Sequence, residues 1–172
     1  IYTPLSPSIT SVNSSTANGT YGLDDVIIIN TVFSAAVNVV TTGGTPTIEL
    51  ETGDTDRTAV YSSGSGTTTL SFTYTVQDGD NSNDLDFTGT SALALNGGTI
   101  KASTGAANNA NPRLVTPGSA NSLADNSAIV IDTTAQNYNF DTTAQNYNFD
   151  TIAPTIALTD DDDDNSLSVG NT

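Results

Sequence analysis

Carboxylates are the most abundant charged groups in this chain, and they are its main candidates for chemistry. The 172 residues include 19 Asp and Glu against 3 Lys and Arg, and histidine, cysteine, methionine and tryptophan are absent. The commonest general base and the soft metal ligands are therefore lacking. Hard oxygen ligands remain, and Ca²⁺ prefers these. The composition favours cation binding over catalysis.

The acids form two clusters and a set of isolated positions. Five adjacent aspartates at 160–164 repel one another unless a cation is bound, and a solvated acidic turn is the alternative. The segment DGDNSNDLD at 78–86 lacks the glycine and glutamate of an EF-hand, and an Asx-rich turn is its alternative. The predicted Ca²⁺ ligands are Asp160, Asp161, Asp162, Asp163, Asp164, Asp78, Asp80, Asp84, Asp86, Asp24, Asp25, Asp132 and Asp150.

Enzymatic interpretations fail on residue types. A glycosidase needs two acids beside a sugar cleft, whereas these acids fall in predicted loops and no tryptophan can stack a sugar. A serine hydrolase would need a histidine and a Gly-x-Ser-x-Gly turn, and neither occurs. An isopeptide staple could use only Lys101, the single lysine. We predict that the protein is not an enzyme.

Charge and hydropathy also limit the partners. A net charge of −16 repels nucleic acid and anionic lipid surfaces, which are bound largely through Lys and Arg. No apolar run approaches the roughly 20 residues of a membrane-spanning helix. A chain without cysteine fits a large bacterial surface protein, in which size and bound cations replace disulfides. We expect a secreted, extracellular protein.

The elements that must position these acids are short strands. Apolar and β-branched runs alternate with Gly, Asn, Asp and Ser, and no long 3.6-residue period occurs. In the clearest run, Leu70, Phe72, Tyr74 and Val76 share one face. The predicted strands are 8–12, 26–33, 37–41, 47–52, 57–62, 67–76, 91–95, 99–103 and 128–132. The pattern predicts an all-β, antiparallel β-sandwich, with 108–127 as a surface crossing that Leu114, Val115 and Leu123 pin to the core.

Several segments in this order resemble the Ig-like repeats of large bacterial adhesins and biofilm-associated proteins. They are NGTYGLDDVIIINTVFSAAV at 18–37, PTIEL at 46–50, YSSGSGTTTLSFTYTVQDGDNSNDLDF at 61–87, TSALALNGGTI at 90–100 and AIVIDTTA at 128–135. The resemblance implies an Ig-like sandwich that serves as an extender or ligand-presenting unit. It also implies Ca²⁺ at the junctions between repeats.

The junction after the sandwich is interrupted by a duplication. DTTAQNYNF occupies 132–140 and recurs at 141–149, and DTIAPTI follows from 150. Asn and aromatic side chains alternate in each copy, which is the pattern of a short strand. A spacer between repeats is the first interpretation, and a strand that adds to a sheet edge is the alternative. The PTIALT segment at 154–159 resembles a first strand of a further repeat. The predicted assembly residues are Tyr138, Phe140, Tyr147, Phe149, Ile156 and Leu158.

The sequence divides into three segments: a sandwich at 1–135, the duplicated insert at 136–153, and the start of another repeat or a donor strand at 154–172. We expect a non-catalytic structural module of an adhesin stalk, biofilm matrix or surface filament, partnered by neighbouring copies or repeats and supported by Ca²⁺. A self-polymerising filament subunit and a carbohydrate- or ice-binding module are the alternatives.

Overall fold

The computed structural model describes residues 6–133, so the predicted insert at 136–153 and the segment at 154–172 lie outside it. Strands dominate the described part, with one short helix. The elements are β1 Ile9–Ser14, β2 Gly19–Tyr21, β3 Val26–Val40, β4 Thr47–Leu50, β5 Arg57–Ser63, β6 Thr67–Thr75, β7 Asn81–Ser82, β8 Leu93–Ala94, β9 Thr99–Ala102, α1 Leu123–Asn126 and β10 Ile129–Asp132.

Two sheets contain these strands. The larger has the order β1-β3-β6-β5-β4-β8, with β9 added to β3, and these neighbouring strands pair antiparallel. The smaller has the order β2-β10-β7, in which β10 is parallel to β2 and antiparallel to β7. The prediction of an all-β sandwich is confirmed, and the parallel pair is the departure from purely antiparallel pairing.

The core follows from strict alternation along the strands. Leu70, Phe72, Tyr74 and Val76 are each at most 1% exposed, whereas the threonines between them face outward. Ile129 and Ile131 of β10 enter the same core from the small sheet. Burying a side chain of this size contributes about 1.5–3 kcal/mol. The burial of the four side chains from Leu70 to Val76 confirms the predicted inward face of the strand at 67–76.

Strand β3 differs from the prediction of two strands at 26–33 and 37–41. It is continuous, and a register irregularity between Val32 and Val37 accommodates residues 33–36 within the strand. Its first part pairs with β1, and its last four residues pair with β9. The stretch 26–29, predicted to be covered on both faces, instead alternates, and Val26 is 49% exposed.

The crossing at 108–127 covers the outer edge of β1. Val12 donates its backbone N–H to Asn121 O at 2.9 Å, and Asn126 Nδ2 donates to Val12 O at 2.8 Å. Leu114 and Leu123 are buried and Val115 packs partly against the core, as predicted. The crossing also contains α1, whose first turn is capped by Ser122. Edge coverage of this kind blocks unwanted strand pairing.

The loops divide into two chemically different ends. The exit end comprises loops 22–25, 51–56 and 76–80 together with residues 132–133, where the described chain ends. The glycine end comprises loops 41–46, 64–66 and 95–98. Strand directions place these groups at opposite ends of β3, since Val26 pairs with Thr75 and Val40 pairs with Thr99. The glycine-end loops carry no acid, whereas the exit-end loops carry seven. These seven are Asp24, Asp25, Glu51, Asp54, Asp56, Asp78 and Asp80.

Candidate functional site

Asp80 is the best-defined acidic side chain at the exit end. It is 1% exposed, and Arg57 Nε donates to its Oδ1 at 2.7 Å. Its Oδ2 accepts hydrogen bonds from Tyr74 Oη at 2.6 Å and from Gln77 N at 2.8 Å. Both oxygens therefore have protein donors, which is how a buried carboxylate is stabilised. Asp80 ties β5, β6 and the loop after β6 together.

The Asp80 backbone also holds the departing chain. Thr133 Oγ1 donates to Asp80 O at 2.9 Å, and Thr133 is 6% exposed. Next to it, Asp132 pairs with Asn81 and Ile131 pairs with Ser82. The residue at which the described chain ends is thus fixed to the loop that Asp80 organises. We call the contacts of Asp80 with Arg57, Tyr74 and Thr133 the exit latch.

Tyr74 is electrostatically coupled to this arrangement. Burial raises the pKa of the Tyr74 hydroxyl well above its usual range, and the hydrogen bond to Asp80 and the charge of that carboxylate raise it further. Arg57 opposes the shift. The hydroxyl therefore keeps its proton, and its hydrogen bond to Asp80, above the pH at which an exposed tyrosine ionises.

The other acids of the 78–86 loop have separate surroundings. Asp86 is 8% exposed, accepts from Phe87 N at 2.9 Å through Oδ1 and accepts from Gly118 N at 2.8 Å through Oδ2. Asp78 and Asp84 are exposed. Partial burial raises the pKa of Asp84, and the charge of Asp86 adds to that shift. Asp86 joins the loop to the 108–127 crossing.

Asp24 and Asp25 form the turn that precedes β3. Asp25 Oδ2 accepts from Gly22 N at 2.8 Å, which closes the turn in the manner common for aspartate. Asp24 adopts a positive φ of 68° and donates its N–H to Val76 O at 2.9 Å. Its side chain is exposed. The turn therefore lies beside the end of β6, close to the loop that contains Asp80.

Asp132 lines a small open groove of about 220 Å³ with Asn81, Asn83, Val130 and Ile131. The polar members are amides and one carboxylate, and the walls come from β7 and β10. Such a groove is smaller than typical pockets for drug-sized ligands. It marks the surface beside which the chain leaves the sandwich.

The structure brings several predicted Ca²⁺ ligands to the exit end without joining them in one coordination sphere. Asp24, Asp25, Asp78, Asp80 and Asp132 lie at this end, and Asp84 and Asp86 lie further along the loop. Within residues 6–133, no group of three or more acids is arranged to hold a metal ion. Asp150 and Asp160–Asp164 lie outside the described residues, so Ca²⁺ binding stays a prediction.

The predicted assembly residues also lie outside the described residues. These are Tyr138, Phe140, Tyr147, Phe149, Ile156 and Leu158. The helix of the described part is four residues long, and no helix there is long and apolar enough to cross a membrane.

Sequence reasoning missed the partners of Asp80. Arg57 had no assigned role, although alternation in β5 places it on the same face as the buried Ala59. Alternation places Tyr74 in the core, and a buried tyrosine hydroxyl needs a hydrogen-bond partner, which here is Asp80. Thr133 carried no signal, because its role depends on the position of a loop more than fifty residues earlier. The inward arginine and the buried tyrosine hydroxyl were the two available clues.

The outer face of the seven-stranded sheet is nearly free of charge. A row in register crosses four strands and consists of Ile28, Thr73, Val60 and Thr47. Glu49 and Lys101 are the charged side chains that the described strands place on this face. The surface therefore offers hydroxyl and aliphatic groups in a chain that is otherwise strongly acidic.

Comparison with models of protein families, with curated proteins and with solved structures finds no match for this chain. The exit end and the outer sheet face are therefore interpreted from their own geometry.

Proposed function

We propose that this chain is a non-catalytic structural module of an extracellular bacterial surface protein, joined to its neighbours through the segment that follows Thr133. The carrying observation is that Ser8 and Thr133, near the two limits of the described residues, lie toward opposite ends of the sandwich. The chain enters beside Ser34, whose N–H donates to Ser8 O at 2.8 Å. It leaves beside Asp80, near the start of β3. Eight residues of extended strand separate Val26 from Ser34, which is roughly 25 Å.

A module that passes the chain from one end to the other is suited to linear arrays. The exit latch supports this use because it fixes Thr133 at the end of the sandwich away from Ser8. Electron micrographs of the purified full chain, together with light scattering, test how copies associate. Strings or filaments support linkage through the C-terminal segment. A monodisperse monomer with a protease-sensitive tail excludes the self-polymerising filament, the alternative in which strand addition at 136–159 joins separate copies.

We further propose that Ca²⁺ supports the junction at the exit end. The acids concentrate there, and carboxylates held on neighbouring loops repel one another until a cation screens or binds them. A cation that binds only the folded state stabilises it by mass action. Ca²⁺ should therefore raise the melting temperature, and chelator should lower it at matched ionic strength.

The location of the cation can be tested by charge removal. Asp54→Asn, Asp56→Asn and Asp78→Asn combined remove three exposed exit-end charges. Glu49→Gln removes one charge from the outer sheet face and serves as the control. Loss of the Ca²⁺ response in the triple variant alone locates the ion at the exit end. An unchanged response in both variants assigns the ion to the tail, and an unchanged wild-type melting curve in chelator rejects Ca²⁺ support.

A carbohydrate- or ice-binding module is the second candidate, and the outer sheet face is the observation that favours it. Its hydroxyl and aliphatic rows suit an uncharged ligand. Glycan binding to an array or measurable thermal hysteresis would support this candidate, provided that Thr73→Lys abolishes the signal. Thr75→Lys, one residue pair further along the same strand, reports whether the effect is confined to the row.

A further inference from the structure

We infer that the parallel pair β2–β10, together with the exit latch, is a mechanical clamp that resists tension applied along the chain. Linking modules needs only that the chain enter and leave at different places. Bearing tension requires in addition that the hydrogen bonds in the line of force break together. The failure of this inference would leave the proposed linking role intact.

The strand directions determine how tension acts on this pair. Strand β1 runs from Ile9, opposite Phe33, to Ser14, opposite Ile29, and therefore runs toward the exit end. Strand β2 follows β1 and is parallel to β10. Tension at the entry acts on β1, which is bonded to β3, and through β1 on β2, whereas tension at the exit pulls β10 outward. Two neighbouring parallel strands are thus pulled in opposite directions along their own axes.

This loading shears the β2–β10 hydrogen bonds instead of opening them one at a time. The register is Ile129 with Gly19, Val130 with Thr20 and Ile131 with Tyr21, and Gly19 N donates to Ala128 O at 3.0 Å. A shift of β10 along β2 disturbs all of these bonds at once. It also withdraws Ile129 and Ile131 from the core, where they are 0% and 2% exposed.

The exit latch carries the load onward into the large sheet. Thr133 is the last described residue of the chain, and its hydroxyl donates to Asp80 O. The Asp80 carboxylate is held in turn by Arg57 on β5 and Tyr74 on β6. A pull on the exit is therefore shared between the small sheet and two strands of the large sheet. This is a function for Asp80 that needs no cation.

Pulling the same sandwich in two directions tests the clamp, once chemical denaturation has shown that the two cysteine variants have the stability of the parent chain. The chain has no native cysteine, so introduced thiols define the attachment points. Handles on Ser6→Cys and on a cysteine appended after Thr172 load β2–β10 in shear. Handles on Asp78→Cys and the same appended cysteine peel β10 from β7 at their shared end, where Asn81 pairs with Asp132.

We expect a severalfold higher unfolding force in the first geometry than in the second. Extension identifies the sandwich event. In the first geometry the 127 steps between residues 6 and 133 (133 − 6) release roughly 440 Å of chain, and in the second the 55 steps between residues 78 and 133 (133 − 78) release roughly 190 Å, each less the folded separation. Equal forces in the two geometries would refute the clamp. Gly19→Pro removes the N–H that bonds Ala128 and should lower only the shear force.

Gly19→Ala is the matched control, because an added Cβ meets only the Tyr21 ring at 3.8 Å, an ordinary contact. If Gly19→Pro unfolds the chain in solution, Thr133→Val supplies a second variant that removes the bond to Asp80 O but leaves β2–β10 in place. Its shear force should fall below that of the parent chain. If Thr133→Val unfolds at the same force as the parent chain, the exit latch does not bear the load.

Discussion

At the scale of single residues, Asp80 organises the exit end. It joins two strands and a loop through its carboxylate and holds the departing chain through its carbonyl. A carboxylate buried to this degree is stable only while its donors are present. The three basic residues of the chain include one, Arg57, that is positioned to pair with it.

Asp80→Asn should destabilise the sandwich by about 2–3 kcal/mol, because Arg57 loses its counter-charge inside the protein. The figure lies below that for a fully buried pair because the Arg57 side chain is 25% exposed. Chemical denaturation of the full chain measures the change. Asp78→Asn, two residues earlier and exposed, is the control. Similar midpoints for the two variants would contradict the role given to Asp80.

Tyr74 predicts an alkaline limit to stability. Its pKa is raised in the folded protein, so above the ordinary tyrosine pKa of about 10 the unfolded chain loses a proton that the folded chain keeps. Stability is therefore retained below that pH and falls as pH rises above it. Denaturation midpoints across the alkaline range should decline more steeply for the parent chain than for Tyr74→Phe. Parallel declines would argue against the shift.

Thr31 offers a stabilising substitution. Its side chain is 0% exposed, and its hydroxyl has no hydrogen-bond partner among the described residues. Thr31→Val removes an unpaired polar group with little change in shape and should raise the free energy of unfolding by about 1 kcal/mol. Thr73→Val, on the outer face of the sheet, is the control and should change it by less than about 0.5 kcal/mol. A destabilised Thr31→Val variant would indicate a partner for the hydroxyl.

At the scale of elements, the glycine end depends on two loops that touch through their backbones. A Cβ added to Gly44, whose φ is +153°, would overlap Asn96 O, and a Cβ on Gly98 would overlap Gly44 O. Neither backbone oxygen can move aside without displacing its loop. The uncharged character of this end thus accompanies a close packing that only glycine permits.

Gly44→Ala should cost about 2–4 kcal/mol, since both the clash and the backbone conformation oppose it. Gly89→Ala is the control, because an added Cβ there has nothing within 4 Å and the backbone φ is not positive. Thermal unfolding of both variants beside the parent chain measures the difference. Equal melting temperatures would show that the two loops can separate at little cost.

Much of the fold was predictable because alternation is a local signal. The inward face of β6 and the anchoring of the crossing by Leu114 and Leu123 follow directly from residue type. The continuity of β3 was not predictable, since a register irregularity between Val32 and Val37 resembles a turn in sequence. The pairing of β2 with β10 was also missed: β2 has three residues, and pairing across 110 positions (129 − 19) leaves no local pattern.

The candidate site was less predictable than the fold. The sequence indicates where the acids fall, and it correctly places Asp78 and Asp80 in one loop. It does not distinguish a carboxylate held by protein donors, such as Asp80, from an exposed one, such as Asp84. That difference depends on Arg57 and Tyr74, which lie on separate strands.

At the scale of the whole molecule, the charge of the sandwich formed by residues 6–133 is polarised. Seven acids lie in the exit-end loops, and none lies in the glycine-end loops. Head-to-tail contact between copies would place an acidic end against an uncharged one, whereas contact between two exit ends would be repulsive. The polarity of charge therefore favours head-to-tail association over contact between two exit ends.

Raising the concentration of a monovalent salt should raise the melting temperature by a few degrees, because screening relieves the repulsion at the exit end. The combined Asp54→Asn, Asp56→Asn and Asp78→Asn variant should respond less, while Glu49→Gln should respond like the parent chain. Calorimetry over a salt series measures both. A melting temperature that falls with added salt would mean that attractive pairs outweigh repulsion.

The late position of β10 also governs the order in which the sandwich can be built. Ile129 and Ile131 complete the core, and their strand is the last of the described chain. Contacts between residues so distant in sequence form slowly, because a long loop must close first. A chain that emerges from a ribosome or a secretion channel with its N-terminus leading keeps the edges of β2 and β7 unpaired until residue 132 has appeared. The small sheet can therefore form only after β10, the last strand of the described chain, has emerged.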